Sequence, residues 1–494
     1  MKKKLLAILL AATMVTGLAA CGNSNSQTTT DNGAAADTAE ADNSAAADDS
    51  ASAGTSADSS DPWANVDTSE HVKITYMTTG DRPSGTEAKY EEMMTELNKI
   101  LTEKVNAELE IYFIPWTDYL TNYNLTLAQM DGTVDLVGTA SDWLDAWPNS
   151  KNGAFLELSE DMLKTYAPKT WESVSPEHWD MCRYNGEIYL MPEDNYAQWT
   201  NHGFIYRLDW AKAAGLDKVD SWEDMTEYFR YVKETYPDMI PWDSDGTHHT
   251  QLAGGWVSSH TNFVAIDGIS TGALWGGTRD DLYTVTTPAY TDTDMMVEFA
   301  KTMKEWDNIG VWRTDVLNVG STTARDDYRV GKTAADQHHT QTWTDLVSPT
   351  SQNKIYQDDP NAESGFFYFG EETGNVTALS ITHGAMAVSA GSANPERALM
   401  VYDLLRNDPE CYQLLCYGIK GVSWDVNDEG LRVEPEGYNA DTDNINGTTN
   451  FWWGRNDDLE IRDATRAWDK IDALYNEYDS IKIDYHYGQV VPEV

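Results

Sequence analysis

Val72-Lys73-Ile74-Thr75-Tyr76-Met77, followed by Thr78-Thr79-Gly80-Asp81-Arg82-Pro83-Ser84-Gly85 and by the segment from Thr86 to Glu103, decides how this chain folds. The first six residues read as a strand and the next eight as a loop. The third segment places Tyr90, Met93, Met94, Leu97 and Leu101 at helical spacing. Leu109 to Ile114 repeats the strand signal until Pro115 breaks it. Thr117 to Met130 reads as a helix with Tyr119, Tyr123, Leu127 and Met130 on related faces, and Val134 to Gly138 as a third strand. This alternation implies a parallel sheet with helices on both faces, an α/β architecture. Ligands of such sheets sit beyond the C-terminal ends of the strands. The loops Thr78–Pro83, Trp116–Tyr119 and Ser141–Trp147 are therefore the first places to look for function.

Upstream, residues 1–20 carry the basic start Lys2-Lys3-Lys4, an apolar run from Leu5 through Val15, and Leu18-Ala19-Ala20 before Cys21. That is the pattern of a secretory signal peptide. The run is too short for a permanent span, and no later stretch approaches the roughly 20 apolar residues that spanning needs. Leu18-Ala19-Ala20-Cys21 resembles the bacterial lipobox, in which the cysteine thiol receives a diacylglycerol and becomes the new N-terminus. Cys21 is thus the expected lipid anchor, on the extracellular face of a bacterial cell membrane. From Gly22 to about Ser60 the chain is mostly Ala, Ser, Thr, Asp and Asn with no aromatic, Lys or Arg. Such a segment buries too little apolar surface to order itself. As a flexible tether it reaches on the order of 35 Å.

The formal charge is −47. Removing Lys2, Lys3 and Lys4 makes it −50, of which the tether carries −7, leaving about −43 on the folded part. Nucleic acid and anionic lipid headgroups are repelled by such a surface, so the only expected membrane contact is the lipid anchor. Besides Cys21 there are Cys182, Cys411 and Cys416. An odd count leaves a free thiol and argues against a disulfide framework. Neither a CxxC pair nor a Cys/His cluster suggests metal, and adjacent histidines at His248-His249 and His338-His339 lack a third ligand beside them. No cofactor is expected.

About 430 residues follow the tether, too many for one core, so two lobes are expected. Ser221 to Glu234 reads as a helix capped by Ser221, with Trp222, Met225, Tyr228, Phe229 and Val232 at helical spacing. Asn394-Pro395-Glu396 starts another, whose apolar side holds Leu399, Tyr402, Leu404 and Leu405.

Two stretches carry a resemblance. The first is Tyr184-Asn185-Gly186-Glu187-Ile188-Tyr189-Leu190-Met191-Pro192 with Gly203 to Leu216 (GFIYRLDWAKAAGL) and the helix start Ser221-Trp222-Glu223-Asp224. The second is Ala378 to Thr382, Met386 to Ser389, and Asn394 to Ala398 (NPERA), with Tyr417-Gly418-Ile419-Lys420-Gly421 beyond. Together, over nearly the whole mature chain, they resemble the family 1 extracellular solute-binding proteins of ABC transporters, the carbohydrate-binding lipoproteins. The resemblance implies a two-lobe, periplasmic-binding-protein-like (class II) α/β fold with a hinge and an interlobe cleft. It implies a monomer that closes on a carbohydrate, an oligosaccharide, and docks on the permease subunits of an importer. Residues 61–200 plus 380–425 would form the first lobe and 201–379 plus 426–494 the second. Crossovers near Tyr196–Phe204 and Ala378–Ala385 would absorb the hinge rotation.

Sugars present apolar CH faces and rims of hydroxyls, so their sites combine flat aromatic rings with planar polar groups. Loop residues meeting that description are Asp81, Trp116 with Tyr119, Asp142 with Trp143, and Asn195 with Trp199 in the first half. In the second half they are Trp242, Trp256, Trp275, His338 with Trp343, His383, Trp424, and the pair Trp452-Trp453. Trp210, Trp222 and Trp306 lie among apolar partners on helices and are assigned to the core. Two other readings stay open: a same-fold protein for a peptide or other solute, and an extracellular polysaccharide-degrading enzyme. Glycoside hydrolysis needs two carboxylates about 5 to 10 Å apart, but 81 acidic residues guarantee chance pairs. No nucleophile-elbow, zinc-protease, P-loop or dinucleotide-binding motif appears in a fitting context. The reading is therefore a binding protein, not an enzyme.

Overall fold

β1 (Val72–Thr79) is half-exposed where it begins and buried on both faces where it ends, the signature of an inner strand whose C-terminal half enters the core. The computed structural model describes residues 61–129, 131–141, 143–193, 202–244, 248–263, 275–276, 284–316, 324–376, 380–445 and 454–481. The signal segment, Cys21 and the tether lie outside them. After β1, α1 (Glu87–Val105) buries Tyr90, Met93, Met94, Leu97, Leu101 and Val105. Asn106, in the left-handed region at φ 47°, ends it by donating its N–H to Leu101 O and Thr102 O. β2 (Ala107–Ile114), α2 (Tyr119–Gln129) and β3 (Leu136–Thr139) complete the unit read from the sequence.

β1 pairs in parallel with β2, from Val72 opposite Ala107 to Thr79 opposite Ile114, and in parallel with β3. The sheet is mixed beyond that point. Strand Ala385–Val388 joins β3 antiparallel and also pairs with Met191–Pro192, giving the order β2, β1, β3, Ala385–Val388, Met191–Pro192. The returning chain thus enters the first sheet from the opposite direction.

The second sheet is antiparallel throughout, with His202–Arg207 between Ala335–His339 and Ser364–Tyr368. Its core is largely aromatic. Phe204 meets Trp242, Trp306 and Phe369 edge-on at centroid distances of 5.1, 5.7 and 5.9 Å. Trp222 lies flat on Phe369 at 5.3 Å. Two of the core's indole N–H groups are satisfied inside: Trp222 donates to Ser259 Oγ (2.9 Å) and Trp306 to Thr226 Oγ1 (2.7 Å). Ser221 caps the helix Trp222–Thr235 by accepting the Asp224 N–H, as its sequence position implied.

Downstream of 425 the packing differs from the expected division. Val426, Ile445, Leu459 and Ile461 pack on the first core, whereas Ile471 and Tyr478 of the helix Trp468–Ile481 pack within the second lobe. Hydrogen bonds explain why the chain stays so long. The Tyr412 and Tyr417 hydroxyls both donate to the Glu460 carboxylate at 2.6 Å, and Asn456 donates to Arg406 O at 3.2 Å.

Two buried polar clusters hold the first lobe. Asp403, enclosed in the helix Pro395–Asn407, accepts from the Thr170 N–H and hydroxyl (2.7 Å each) and from Asn407 (3.0 Å). Burial raises its pKa, and the bonds from Thr170 pull it back. The second cluster stands where the chain crosses between lobes. Arg406, fully buried, donates to the carbonyls of Pro192 and Glu193, and the Glu193 N–H donates to Gly384 O (2.9 Å). Glu193 is 5% exposed, and a β-carbon on Gly384 would collide with its carboxyl. Burial pushes the Glu193 carboxyl up to about 7; Arg455, His383 and Arg406 oppose the rise and Asp457 adds to it. The three free thiols, Cys182, Cys411 and Cys416, are buried, and no metal-holding group of His, Cys, Asp or Glu occurs among the described residues.

Asp403→Ala would strand the Thr170 donors in the interior, so a loss of about 2 to 4 kcal/mol is expected in urea unfolding; a loss under about 0.5 kcal/mol would contradict this role. Glu193 gives a pH-dependent test. A carboxyl that holds its proton to about pH 7 in the fold, against 4.5 as the ordinary value, makes stability fall as pH rises through that window. Glu193→Gln should match the wild type near pH 4.5 and exceed it at pH 7.5, by at most on the order of 3 kcal/mol. An offset in melting temperature that is the same at every pH would refute the assignment.

Candidate functional site

The parallel arrangement of β1, β2 and β3 brings the loops after β2 and β3 side by side. Trp116, one residue past the strand-ending Pro115, is 40% exposed. Trp143, from the loop after β3, stacks beside it at 5.9 Å with the ring planes 24° apart. Tyr119 meets both edge-on, at 5.7 and 5.9 Å. Three rings read independently from the sequence thus form one cluster, with Trp116 as its open member.

The loop bearing Trp143 is braced. Ala140 O accepts from the N–H groups of Leu144 (3.3 Å) and Ala146 (3.1 Å). Asp145 adopts a left-handed conformation, φ 49°, and accepts from Asn124 Nδ2 at 2.8 Å; Asn149 in turn donates to Asn124 Oδ1 at 2.9 Å. The same loop is tied to the interlobe crossing. Ser141 N–H donates to Thr382 O (2.9 Å), and the Thr382 hydroxyl donates to Ser141 Oγ (3.0 Å). A rigid aromatic surface so joined to the crossing can receive the apolar face of a ligand without first being ordered.

A second assembly lies at the edge of the second sheet where the crossings attach. His202 pairs in register with His339, and Gly203 with both His338 and Tyr368. The His339 ring stands edge-on to those of His202 (5.7 Å) and His338 (5.5 Å). Arg325 Nη2 donates to His338 Nε2 (2.9 Å), which places the His338 proton on Nδ1, where it donates to Asp336 Oδ2 (3.1 Å). His339 Nδ1 accepts from the Thr342 N–H, leaving its proton on Nε2. Burial, then the charges of His338, His202, Arg325 and His383, hold the His339 pKa well below the usual histidine range, so its ring is a neutral donor. His383, from the first-lobe side of a crossing, thus lies within electrostatic reach of the second sheet.

The remaining sequence candidates separate by burial. Asp81 is exposed in the loop after β1. Trp242 and Trp256 are packed in the aromatic core of the second lobe, Trp256 between Trp222 (5.2 Å) and the flat face of His260 (3.9 Å). Trp343 is buried against Phe366, and Trp275 is 2% exposed in a bridge with Thr286. Trp424 is packed on Tyr417 and donates its indole N–H to Gly418 O (2.9 Å). These five rings fill interior space, each at most 5% exposed. Of the three assigned to the core, Trp222 and Trp306 are buried, and Trp210 is half-buried at its rim, stacked on Tyr236 at 4.6 Å. Asp142, Asn195, Trp199, Trp452 and Trp453 lie outside the described residues. Sequence reasoning missed Arg325, His202 and Glu193, whose relevance comes from register and from crossings between segments far apart in the chain.

The comparisons with known proteins agree with this architecture. The pattern of the bacterial extracellular solute-binding protein family matches residues 83–408. A carbohydrate ABC transporter substrate-binding protein of Streptococcus pneumoniae is 26% identical over 163 residues, 33% of this chain and 31% of that relative's length. Among solved structures, the N-glycan transport solute-binding protein of Streptococcus pneumoniae in complex with Man1GlcNAc superposes with a TM-score of 0.60 at 18% identity, covering 85% of this chain and 86% of that one. An ABC substrate-binding protein from Listeria monocytogenes in complex with cycloalternan gives 0.52 at 13% identity, covering 84% and 88%. These likenesses establish the two-lobe, periplasmic-binding-protein-like α/β fold, and the family binds solutes rather than transforming them. A match over most of the folded chain, with crossings and loops arranged as that fold demands, places this protein in the family of bacterial extracellular solute-binding proteins.

Proposed function

We propose that the protein captures a carbohydrate, an oligosaccharide, outside the cell and delivers it to the permease subunits of an ABC importer. The observation that carries this reading is the cluster of Trp116, Tyr119 and Trp143 beyond the C-terminal ends of β2 and β3. Nearly parallel indoles fit the CH faces of pyranose rings, and they stand in the position where ligands of open α/β sheets bind. The half-buried edge of the second sheet, where His338 is committed to Arg325 and Asp336, offers the His339 Nε2–H as a hydroxyl-binding group from the other lobe. That the related proteins named above were solved with a glycan and with cycloalternan supports the same ligand class.

Ligand touching rings of the first lobe and the polar edge of the second at once would bias an open–closed equilibrium toward the closed state. His383 and the Ser141–Thr382 bonds sit where that rotation is absorbed. The acceptor of the cargo is a membrane importer, and Cys21, acylated and followed by the polar tether, would keep the monomeric receptor beside it.

Residues 61–494 should bind a member of an oligosaccharide panel in calorimetry, and saturating sugar should raise the melting temperature. Trp116→Ala should weaken that binding about tenfold or more at unchanged stability of the free protein. Binding of peptides in place of every sugar, or new reducing ends released from the sugars, would overturn the reading. For the anchor, Cys21→Ala should move the protein from the membrane fraction to the medium; retention in the membrane would contradict lipidation there.

A further inference from the structure

Among the described residues, enclosed guanidinium groups have several acceptors or an ion-pair partner, and Arg325 departs from this. Arg397 donates to four backbone carbonyls, those of Asp67, Glu70, Val105 and Asn106. Arg406 donates to the carbonyls of Pro192 and Glu193 and to the Tyr402 hydroxyl. Arg207 forks onto Asp209 at 2.8 and 2.7 Å and reaches Asp359. Arg325, by contrast, makes a single hydrogen bond, to a histidine nitrogen, and no ion pair among the described residues. Its Nε, like that of Arg406, is enclosed with no acceptor, and unlike Arg406 the residue has no carbonyl partners for its other donors among the described residues. Burying a charge without a partner is costly, and this chain holds 81 carboxylates against 34 basic residues, so counter-ions are abundant.

The position of this unmatched cation gives it meaning. Arg325 touches His338 at the edge of the second sheet where the crossings to the first lobe attach. The adjacent His339 presents an Nε2–H, since its Nδ1 is committed to the Thr342 N–H. Arg325 and His339 are both half-buried rather than sealed. The charged groups that act on Arg325 are Asp336, Asp345 and Asp326, and the like charge of Arg329. Asp336 is occupied with His338, and Asp345 with Arg329 and Arg466.

We propose that Arg325, with the His339 Nε2–H beside it, is a carboxylate-recognition subsite, so that the carried carbohydrate is an acidic oligosaccharide. The inference rests on the carbohydrate reading above and narrows it. A guanidinium fork with vacant donors matches the planar geometry of a carboxylate and is far stronger toward it than toward a neutral hydroxyl. Removing this arginine should cost the free fold little, because the charge lost has no ion-pair partner among the described residues and the bond to His338 Nε2 is one that a glutamine amide can also donate.

The test is calorimetry of residues 61–494 against oligogalacturonates, glucuronate-bearing disaccharides and sialyllactose, each beside its neutral or methyl-esterified counterpart and a sulfated oligosaccharide of equal length. At least one carboxylated sugar should bind on the order of 10- to 100-fold tighter than its uncharged counterpart, with the difference shrinking in high salt. Arg325→Gln should abolish that preference while the melting temperature of the free protein stays level or rises. The ester comparison needs no variant and decides the question even if the substitution unfolds the protein. Uncharged sugars binding as tightly as carboxylated ones would overturn the subsite and leave the carbohydrate reading standing. Preference for the sulfated sugar would overturn the carboxylate assignment, and binding of no sugar at all would overturn both.

Discussion

The buried guanidinium of Arg406 holds the place where one lobe becomes the other. It sits in the helix Pro395–Asn407 of the first lobe and grips the carbonyls of Pro192 and Glu193, the last residues before the chain leaves. Glu193 is pinned in turn to Gly384, just after the chain returns, and Asn456 bonds Arg406 O before the chain leaves again. All three passages between lobes therefore start from one fixed platform. The Glu193 carboxyl and the Arg406 guanidinium are both kept in the interior at considerable desolvation cost, and this platform aims the chain at each crossing.

On that platform the aromatic residues divide their labour. The second lobe has a small antiparallel sheet and spends its tryptophans on its own interior, around Phe204 and Trp222. The first lobe fills its core mainly with aliphatic side chains, methionines and tyrosines, buries Trp63, Trp147, Trp179 and Trp424 among them, and leaves Trp116 open beyond the sheet. The unusual tryptophan content is thus mainly structural, and only a few rings are left for a ligand. The second sheet's edge, where strand register puts His202, His338 and His339 together, is the polar complement we propose for them.

The first sheet was legible because its strands and helices are contiguous and strongly periodic: the spacing of Tyr90, Met93, Met94, Leu97 and Leu101 could mean little else. Its aromatic cluster was legible as well, because strand order alone says which loops meet. The second sheet was harder, since short antiparallel strands separated by more than a hundred residues leave no local trace of their pairing. For the same reason, burial of Trp242 or Trp424 could not be told from exposure: a tryptophan beside a turn has the same sequence context whether it packs on Tyr417 or faces solvent. Arg325 had no signal of its own, because what distinguishes it is a missing partner. The place where the C-terminal segment leaves the first lobe escaped notice because two tyrosine hydroxyls and Glu460, not a composition change, retain it.

The account stands on one spatial claim, that a sugar is held between the Trp116–Trp143 surface and the histidine edge of the second sheet. A crystal structure of residues 61–494 with a bound oligosaccharide tests it directly. The account predicts a pyranose ring lying flat on Trp116 or Trp143 while another part of the same molecule bonds to the Arg325–His339 edge. A sugar bound by one lobe alone, or seated away from both assemblies, would contradict it.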